Sequence, residues 1–551
     1  MRVASLLGLF CLVAGALWSC ASARAPRAGD GEARELLPVS FGEHVFQRRL
    51  LGNGLHAVSV RDEGEGVSVF VVVAAGKRQE TSRTTGLAHL AEHAMYTGTA
   101  KTGPGEHDRR IREMTGKSNA FTREDYTLFY DHEFPADRLD EVLAMEADRL
   151  RNLSFDPNAL YEERERLREE EAKTWQPSQR LTEDLEAAVF LRHPYAAGVL
   201  DEDGRTLASL LGIWDVRGFY DRYYQPDAAA VVVVGDIEPG RALDAVQQAF
   251  GSLPVGPPRE PLPEEPDVAR PRSLSLPSSL PRDRVEWVWL VPAMGSPDRP
   301  ALHVLARLLS RRTTESGAAL FVSMGDRVDK DLFRLAVVGP SAEGDLDRIL
   351  SDLLAGRIDA SELEEVKRLE VRAHEDRPLR ARPYFSLAAS FGVYEALGHT
   401  DVLLHYASAV ERLTRDDVLR VARVRLDPQR RVEVSFEGIG GEFEPLPEDP
   451  GELHRAADEA TQAGNLDWAV AAYTKLLSLE IGEMSRVIAL ASRGKVHMLQ
   501  REYGDAIRDF ERALELIDYP DLRDLLDEAR ALEAGELAEP SAAPDAPGSH
   551  P

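Results

Sequence analysis

Residues 54–60 alternate between apolar and polar side chains, the turn-rich Asp62-Glu63-Gly64-Glu65-Gly66 follows, and 67–73 is an apolar run dominated by valine. Strand-like patterning on both sides of a turn predicts a β-hairpin. The spacing then changes to a helical one, predicting a short helix over 86–96 and another over 106–114. Residues 118–133 read as extended, because Thr127-Leu128-Phe129-Tyr130 is β-branched and aromatic. Leu139, Val142, Leu143, Glu146 and Leu150 fit a helix with one apolar face. Asp156-Pro157 opens a long acid-rich helix, with Asp as cap and Pro in the first turn. Phe219 to Tyr224 and the buried-strand run 228–234 close this half.

A proline-rich stretch over 253–272 reads as a linker. Beyond it the pattern predicts strands at 285–291, 332–338 and 431–436, a helix at 300–309 and further helices within 359–424. The order of elements parallels the first half, which implies a duplicated unit. From 451 the chain turns all-helical, with Asn465-Leu466-Asp467-Trp468-Ala469 and Glu502-Tyr503-Gly504-Asp505-Ala506 in matching places. Tyr473 and Phe510 each follow the alanine by four residues, and Gly494 precedes Ala506 by helix–turn–helix spacing. These residues resemble tetratricopeptide repeats. Two repeats are fewer than the usual minimum of three, so the unit is expected to lean on the rest of the chain or on a protein partner. The expected fold class is α+β: two homologous mixed α/β domains (41–252 and 273–445) followed by a small all-α helical-repeat domain (446–535). A disordered tail, 536–551, completes it.

Composition narrows the function. The net charge of −28 speaks against nucleic acid, which needs basic surface. The acidity is ascribed chiefly to solubility. The two cysteines, Cys11 and Cys20, both lie in the first 20 residues, so a metal bound elsewhere must use His, Asp or Glu. Arg2 followed by an apolar run to Trp18 reads as an export signal over 1–20, too short to span a membrane. Leu17-Trp18-Ser19-Cys20 resembles a bacterial lipoprotein signal, with Cys20 the lipidated residue and 21–40 a tether. Ordinary cleavage after Ala21-Ser22-Ala23 is the alternative. The expected location is the bacterial cell envelope, at the periplasmic side of the outer membrane, held by the lipid anchor only.

The informative segment is His89-Leu90-Ala91-Glu92-His93. Histidines four apart share one helix face, with Cβ atoms roughly 5–6 Å apart. That spacing lets both imidazoles reach one zinc, while Glu92 is placed to act as general base rather than as ligand. The alternative is a helix surface carrying two solvated histidines. A catalytic zinc needs a third protein ligand and an open position.

Thr85-Gly86-Leu87-Ala88-His89-Leu90-Ala91-Glu92-His93 resembles the inverted zinc motif of the pitrilysin/insulinase family, which includes two-domain bacterial members and the mitochondrial processing peptidase β-subunit. Ser118-Asn119-Ala120-Phe121-Thr122, Glu146-Ala147-Asp148-Arg149-Leu150, His193-Pro194-Tyr195, Leu363-Glu364-Glu365-Val366-Lys367 and Leu413-Thr414 with Asp417-Val418 are similar to family segments in the same order. The resemblance covers about 40–440. It implies two peptidase domains, one zinc per chain and a third glutamate ligand. Seventy-six residues separate His93 from Glu170, the family's spacing, and Glu163 matches the glutamate seven positions earlier that supports the site. Glu169 remains the runner-up in this glutamate-rich stretch. The resemblance further implies that Asn119 and Ala120 align substrate by main-chain pairing. His107 and His132 are read as surface histidines. One departure stands out: the family's second-domain Arg and Tyr have no clear match, since Gly317-Ala318-Ala319-Leu320-Phe321 holds no tyrosine, with Arg311 or Arg312 as a remnant of the arginine. The expected activity is zinc-dependent endopeptidase action on peptides or unfolded protein segments, alone, as a homodimer or with a zinc-less partner chain. The rival is a weakly active or inactive scaffold that works through its helical repeats.

Overall fold

The computed structural model describes residues 32–538 except 65, 175–176, 197–205, 278–283, 313, 315–317, 339–342, 376–378, 380–385, 438–445, 463, 501 and 518. The signal, Cys11, Cys20 and most of the tail therefore lie outside the described residues. In the first half the elements run β1 (Arg34–Phe41), β2 (His44–Leu50), β3 (His56–Arg61), β4 (Val67–Val73), α1 (Leu87–Ala94), α2 (Glu106–Glu113), β5 (Lys117–Thr122) and β6 (Thr127–Phe134). Helices α3 (Leu139–Arg151), α4 (Pro157–Thr174), α5 (Pro177–Val189) and α6 (Ile213–Tyr223) follow, then β7 (Ala229–Gly235) and α7 (Pro239–Phe250). The second half runs β8 (Arg272–Pro277), β9 (Arg284–Val291), α8 (Arg299–Ser310), β10 (Ala319–Met324), β11 (Asp331–Val338), α9 (Glu343–Leu354), α10 (Ala360–Glu375), α11 (Leu387–Ala396), α12 (Thr400–Arg412), α13 (Arg415–Arg425) and β12 (Val432–Glu437). Five helices end the described chain: α14 (Pro450–Gln462), α15 (Leu466–Ser478), α16 (Glu483–Gln500), α17 (Tyr503–Leu516) and α18 (Pro520–Ala538).

Two sheets result, ordered β1-β2-β3-β7-β4-β6-β5 and β10-β11-β9-β12-β8. The duplication expected from the order of elements is visible in the strand pairing. In the first sheet β3 runs parallel to β7, and β7, β4, β6 and β5 then alternate antiparallel. In the second, β8 runs parallel to β12, and β12, β9, β11 and β10 alternate likewise. The same five-strand unit occurs twice, so the α+β fold class holds, with the helical segment at its end.

Two expectations are corrected. Residues 54–60 and 67–73 form strands but not a hairpin, because β7 inserts between them and pairs with both. The segment expected as a tether over 21–40 already contains β1, which pairs antiparallel with β2 from Arg34 onward. The strands β8 and β10 were also not read from the pattern.

Burial explains the valine runs. Along β4, Val67, Val69, Val71 and Val73 enter one core with α1, α3 and α7, while Phe70 and Val72 face a second core. That second core is closed by α11, whose Phe391 stacks on Phe46 at 4.1 Å between ring centroids. Gly392 lets this helix approach: a Cβ there would lie 2.8 Å from Val232 Cγ2. In return α5 of the first half covers the second sheet, with Leu181, Leu185 and Val189 packed on Val288, Leu332, Val432 and Val434. The two units thus exchange equivalent helices.

The proline-rich stretch is pinned by Glu265, which is 2% exposed and accepts from the backbone N–H groups of Leu191, Arg192 and His193. Helices α14 to α18 pack each on the next. Ala469, Tyr473, Ala506 and Phe510 are buried, and Gly494 makes room for the Phe510 ring. This layer leans on the second domain through Arg307–Glu528, Arg372–Asp527 and Arg284–Gln462. Among the described residues no helix is long and apolar enough to cross a membrane.

Candidate active site

Helix α1 starts at Gly86, whose φ of +85° is a left-handed conformation that glycine adopts without strain. No side chain at the cap position serves the first N–H groups. Glu80 does so from six residues back, accepting from Gly86 N at 3.0 Å and Ala88 N at 2.7 Å. A carboxylate at a helix N-terminus meets both the free donors and the positive end of the dipole. Burial nevertheless pushes the Glu80 carboxyl up to about 7. Leu87, Ala88, Leu90, Ala91 and Ala94 are buried and lock the helix on the sheet, which leaves His89 and His93 on the open face.

The two imidazoles lie 5.0 Å apart between centroids. Glu170, on α4, meets both: its Oε1 is 3.9 Å from His89 Nε2 and its Oε2 is 3.7 Å from His93 Nε2. Two donors on one tetrahedral zinc stand roughly 3.3–3.5 Å apart, given metal–ligand bonds of about 2.0–2.2 Å. The ligand atoms of the trio all lie within 4.8 Å of one another, within reach of one zinc, and Glu170 is half exposed. Glu169 does not join this group of ligand atoms among the described residues. Glu163, two turns earlier on α4, is 7% exposed and its Oε2 lies 3.2 Å from His93 Nδ1. A proton on Nδ1 bonded to Glu163 leaves Nε2 as the free donor atom. Arg166 holds the other oxygen of Glu163.

Electrostatics suit this arrangement. Burial, with His93 as the second cause, brings His89 down to about 3, so it is a neutral ligand at ordinary pH. For His93 burial works in the same direction, but the Glu163 hydrogen bond and the charges of Glu92, Glu163 and Glu170 outweigh it and raise its value. Glu92 accepts from Thr122 Oγ1 at 2.7 Å, and burial pushes its carboxyl up to about 7 despite that bond. Thr122 ends β5, the edge strand of the first sheet, so base and edge strand are joined directly.

Asn119 and Ala120 lie on this strand, paired through the backbone with Tyr130 and Phe129 on its inner side only. The outer edge borders a cavity of about 750 Å³ shared with His89, Glu92, His93, Glu163 and Glu170. A second cavity of about 600 Å³ begins at His89 and continues to the second domain, where β10 supplies Phe321, Val322 and Ser323. Arg311 and Arg312 do not line it; they pair with Glu365 and Glu362 on α10. Gly317 lies outside the described residues.

His107 and His132 are not surface residues. His132 is half-buried, its Nδ1 2.8 Å from Ser68 Oγ. His107 is 5% exposed and meets both oxygens of Asp131 at 3.1 Å. Glu146 and Arg149 complete a sealed cluster, with Arg149 Nε donating to Glu146 at 2.9 Å. Burial raises both carboxyls and brings His107 down to about 3. Arg149 offsets one of the two acids, and the cluster ties α2, β6 and α3 together beneath the site. The signal for it in the sequence is the i,i+4 spacing of His107 and Ile111, the two buried residues of α2.

Comparison with known proteins identifies the family and the fold. Residues 56–203 match the profile described as insulinase (peptidase family M16), and residues 213–369 match the peptidase M16 inactive domain. The zinc protease PqqE of Helicobacter pylori is 31% identical over 282 residues, covering 47% of this chain and 60% of that protein. Curated relatives are matched over 40% to 60% of their own lengths. Among solved structures, a protease from Helicobacter pylori superposes with a TM-score of 0.61 at 24% identity, over 73% of this chain and 100% of that one. The periplasmic protease PqqL from Escherichia coli superposes with a TM-score of 0.60 at 16% identity, over 81% of this chain and 51% of that one. With two M16 profiles that together run from β3 to α10 and the inverted histidine motif on α1, the chain belongs to the insulinase family of peptidases, M16.

Proposed function

We propose that this chain is a zinc-dependent endopeptidase acting on peptides or unfolded protein segments. The observation that carries the reading is the convergence of His89, His93 and Glu170 on one point, beside a buried Glu92 and an open strand edge. The three side chains would hold one zinc, which when bound acidifies water and polarises a carbonyl. Glu92 is the general base: its carboxylate, oriented by Thr122, accepts the proton of the attacking water. The same carboxyl then returns a proton to the departing amine. Glu163 orients His93 and contributes no group to the reacting atoms. A substrate strand would add to the outer edge of β5 along Asn119 and Ala120, where main-chain pairing asks only for an extended chain. That requirement favours unfolded segments over folded proteins.

The rival, a scaffold acting through the helical layer, draws support from the absence of tyrosine in the described part of 317–321. Zinc content and hydrolysis of an unfolded peptide separate the two. Glu92→Gln should keep the metal and lose at least about 100-fold in turnover, since the base is gone and the ligands remain. Glu170→Gln should bind zinc more weakly. Wild-type zinc content together with wild-type turnover in both variants would exclude this site. We further propose export and lipid anchoring through Cys20, which mass spectrometry of the mature N-terminus would test.

A further inference from the structure

Glu170 is half exposed and approaches both imidazoles at 3.7–3.9 Å, so its direction depends on how α4 is set against α1. The adjacent Glu171 makes a separate contact. Its Oε1 accepts from Thr206 Oγ1 at 2.6 Å and its Oε2 from Thr206 N at 3.3 Å. Thr206 also caps the short turn Leu207–Leu210, accepting from Ala208 N at 3.2 Å. On its other side Thr206 lies against Gly86, the residue that starts α1: a Cβ on Gly86 would come within 2.1 Å of Thr206 Oγ1. Thr206 is thus wedged between the start of the helix that carries the two histidines and the carboxylate next to the third ligand.

Consecutive residues of a helix diverge by about 100°. Pinning Glu171 therefore fixes the rotation of α4 about its axis, and with it the direction of Glu170. Glu163, bonded to His93 two turns earlier, supplies the second pin. We propose that Glu171, acting through Thr206, is a positioning residue for the metal site: the pair ties α4 to the N-terminal end of α1 and presents Glu170 to both histidines. The proposal rests on the zinc reading above. Groups that orient a metal ligand in this way are worth about 10–100-fold in metal affinity.

The test uses the full chain and measures zinc affinity by competition with a chromophoric chelator, alongside thermal unfolding of the apo protein. Thr206→Val keeps the volume and removes the hydroxyl donor; Glu171→Gln keeps the shape and removes the carboxylate. Each should weaken zinc binding about 10–100-fold. Thr206→Ser should restore wild-type affinity. The double variant should bind no more weakly than the weaker single, because the two residues act as one unit. A Thr206→Val chain with wild-type affinity overturns the proposal. So does a loss seen with Glu171→Gln alone, which would be the effect of removing a charge near the metal. If Thr206→Val does not fold, Thr206→Ala, which also removes the hydroxyl donor, takes its place: weakened zinc binding supports the proposal and wild-type affinity overturns it. A wild-type chain that binds no zinc sinks the proposed function and this inference together, whereas normal zinc binding with insensitive variants sinks the inference alone.

Discussion

Among the described residues Glu92 accepts one side-chain hydrogen bond, from Thr122 Oγ1, and that donor belongs to the strand expected to receive substrate. A hydrogen bond to a charged group is worth about 1.5–3 kcal/mol, and 1.4 kcal/mol is tenfold in rate. Thr122→Val should therefore lower kcat by about tenfold or more while zinc affinity stays at the wild-type level. Steady-state kinetics with a metal titration checks this; an unchanged kcat would detach Thr122 from the base. The legibility of the site follows the range of its contacts. His89, Glu92 and His93 were readable because all three lie within five residues of one helix, where spacing alone fixes the face. Glu170 and Glu163 were reached only through family spacing, since the geometry that joins α4 to α1 is tertiary. Glu80 and Thr206 were not readable at all: each acts on the start of α1 from a separate segment. His107 was misread because its neighbours Glu106, Asp108, Arg109 and Arg110 make α2 look like a surface helix, and its partner Asp131 lies on another element.

Strands were legible as strands, but their partners were not. The run 67–73 is apolar on both faces because α1, α3 and α7 cover one side and α11 the other. Nothing local announces that β7, more than 150 residues away, separates β3 from β4. The exchange of α5 and α11 between the sheets is equally non-local, and it gives a prediction. On α11, Glu395 accepts from Arg48 Nη2 at 2.8 Å and Thr400 Oγ1 at 2.6 Å, and sits 2.7 Å from His56 Nδ1. Burial opposes its ionisation, but His56 and Arg48 outweigh burial and hold the carboxyl at about 2, against an ordinary value of 4.5. The folded value is the lower one, so the stabilisation is complete above 4.5 and is lost as pH falls through about 2. Its upper limit is roughly 3–4 kcal/mol, from about 1.4 kcal/mol per pKa unit. Glu395→Gln should thus melt below wild type at pH 7, with the gap closing as pH falls from 4.5 to 2 in calorimetric scans. A gap independent of pH in that window would mean the clamp is not electrostatic.

At the scale of the whole molecule, the described residues leave the site open to two cavities. The cavity of His89, His93 and Glu170 borders β5, and the second cavity runs from His89 to β10, the strand topologically equivalent to β5 in the other unit, and on to Gln462 of α14. This chain superposes on 51% of PqqL, so the same two-sheet body accounts for about half of that longer chain. We propose that a second body closes a chamber around the substrate here. A homodimer would supply another copy of β10, whose Ala319-Leu320-Phe321 carries no tyrosine or arginine. Arg311 and Arg312 would not compensate, being committed to Glu365 and Glu362. A zinc-less partner chain that carries an Arg–Tyr pair would hold the scissile carbonyl, and such groups act mainly on turnover because they meet the charge that develops in the transition state. The expected outcome is a zinc-loaded isolated chain with low kcat on an unfolded peptide, raised by about 100-fold or more on adding that partner, with KM little changed. Light scattering of the isolated chain and of the mixture, run beside the kinetics, checks both halves. Full turnover from the isolated chain, whether monomer or homodimer, would show that the two-sheet body completes its own site.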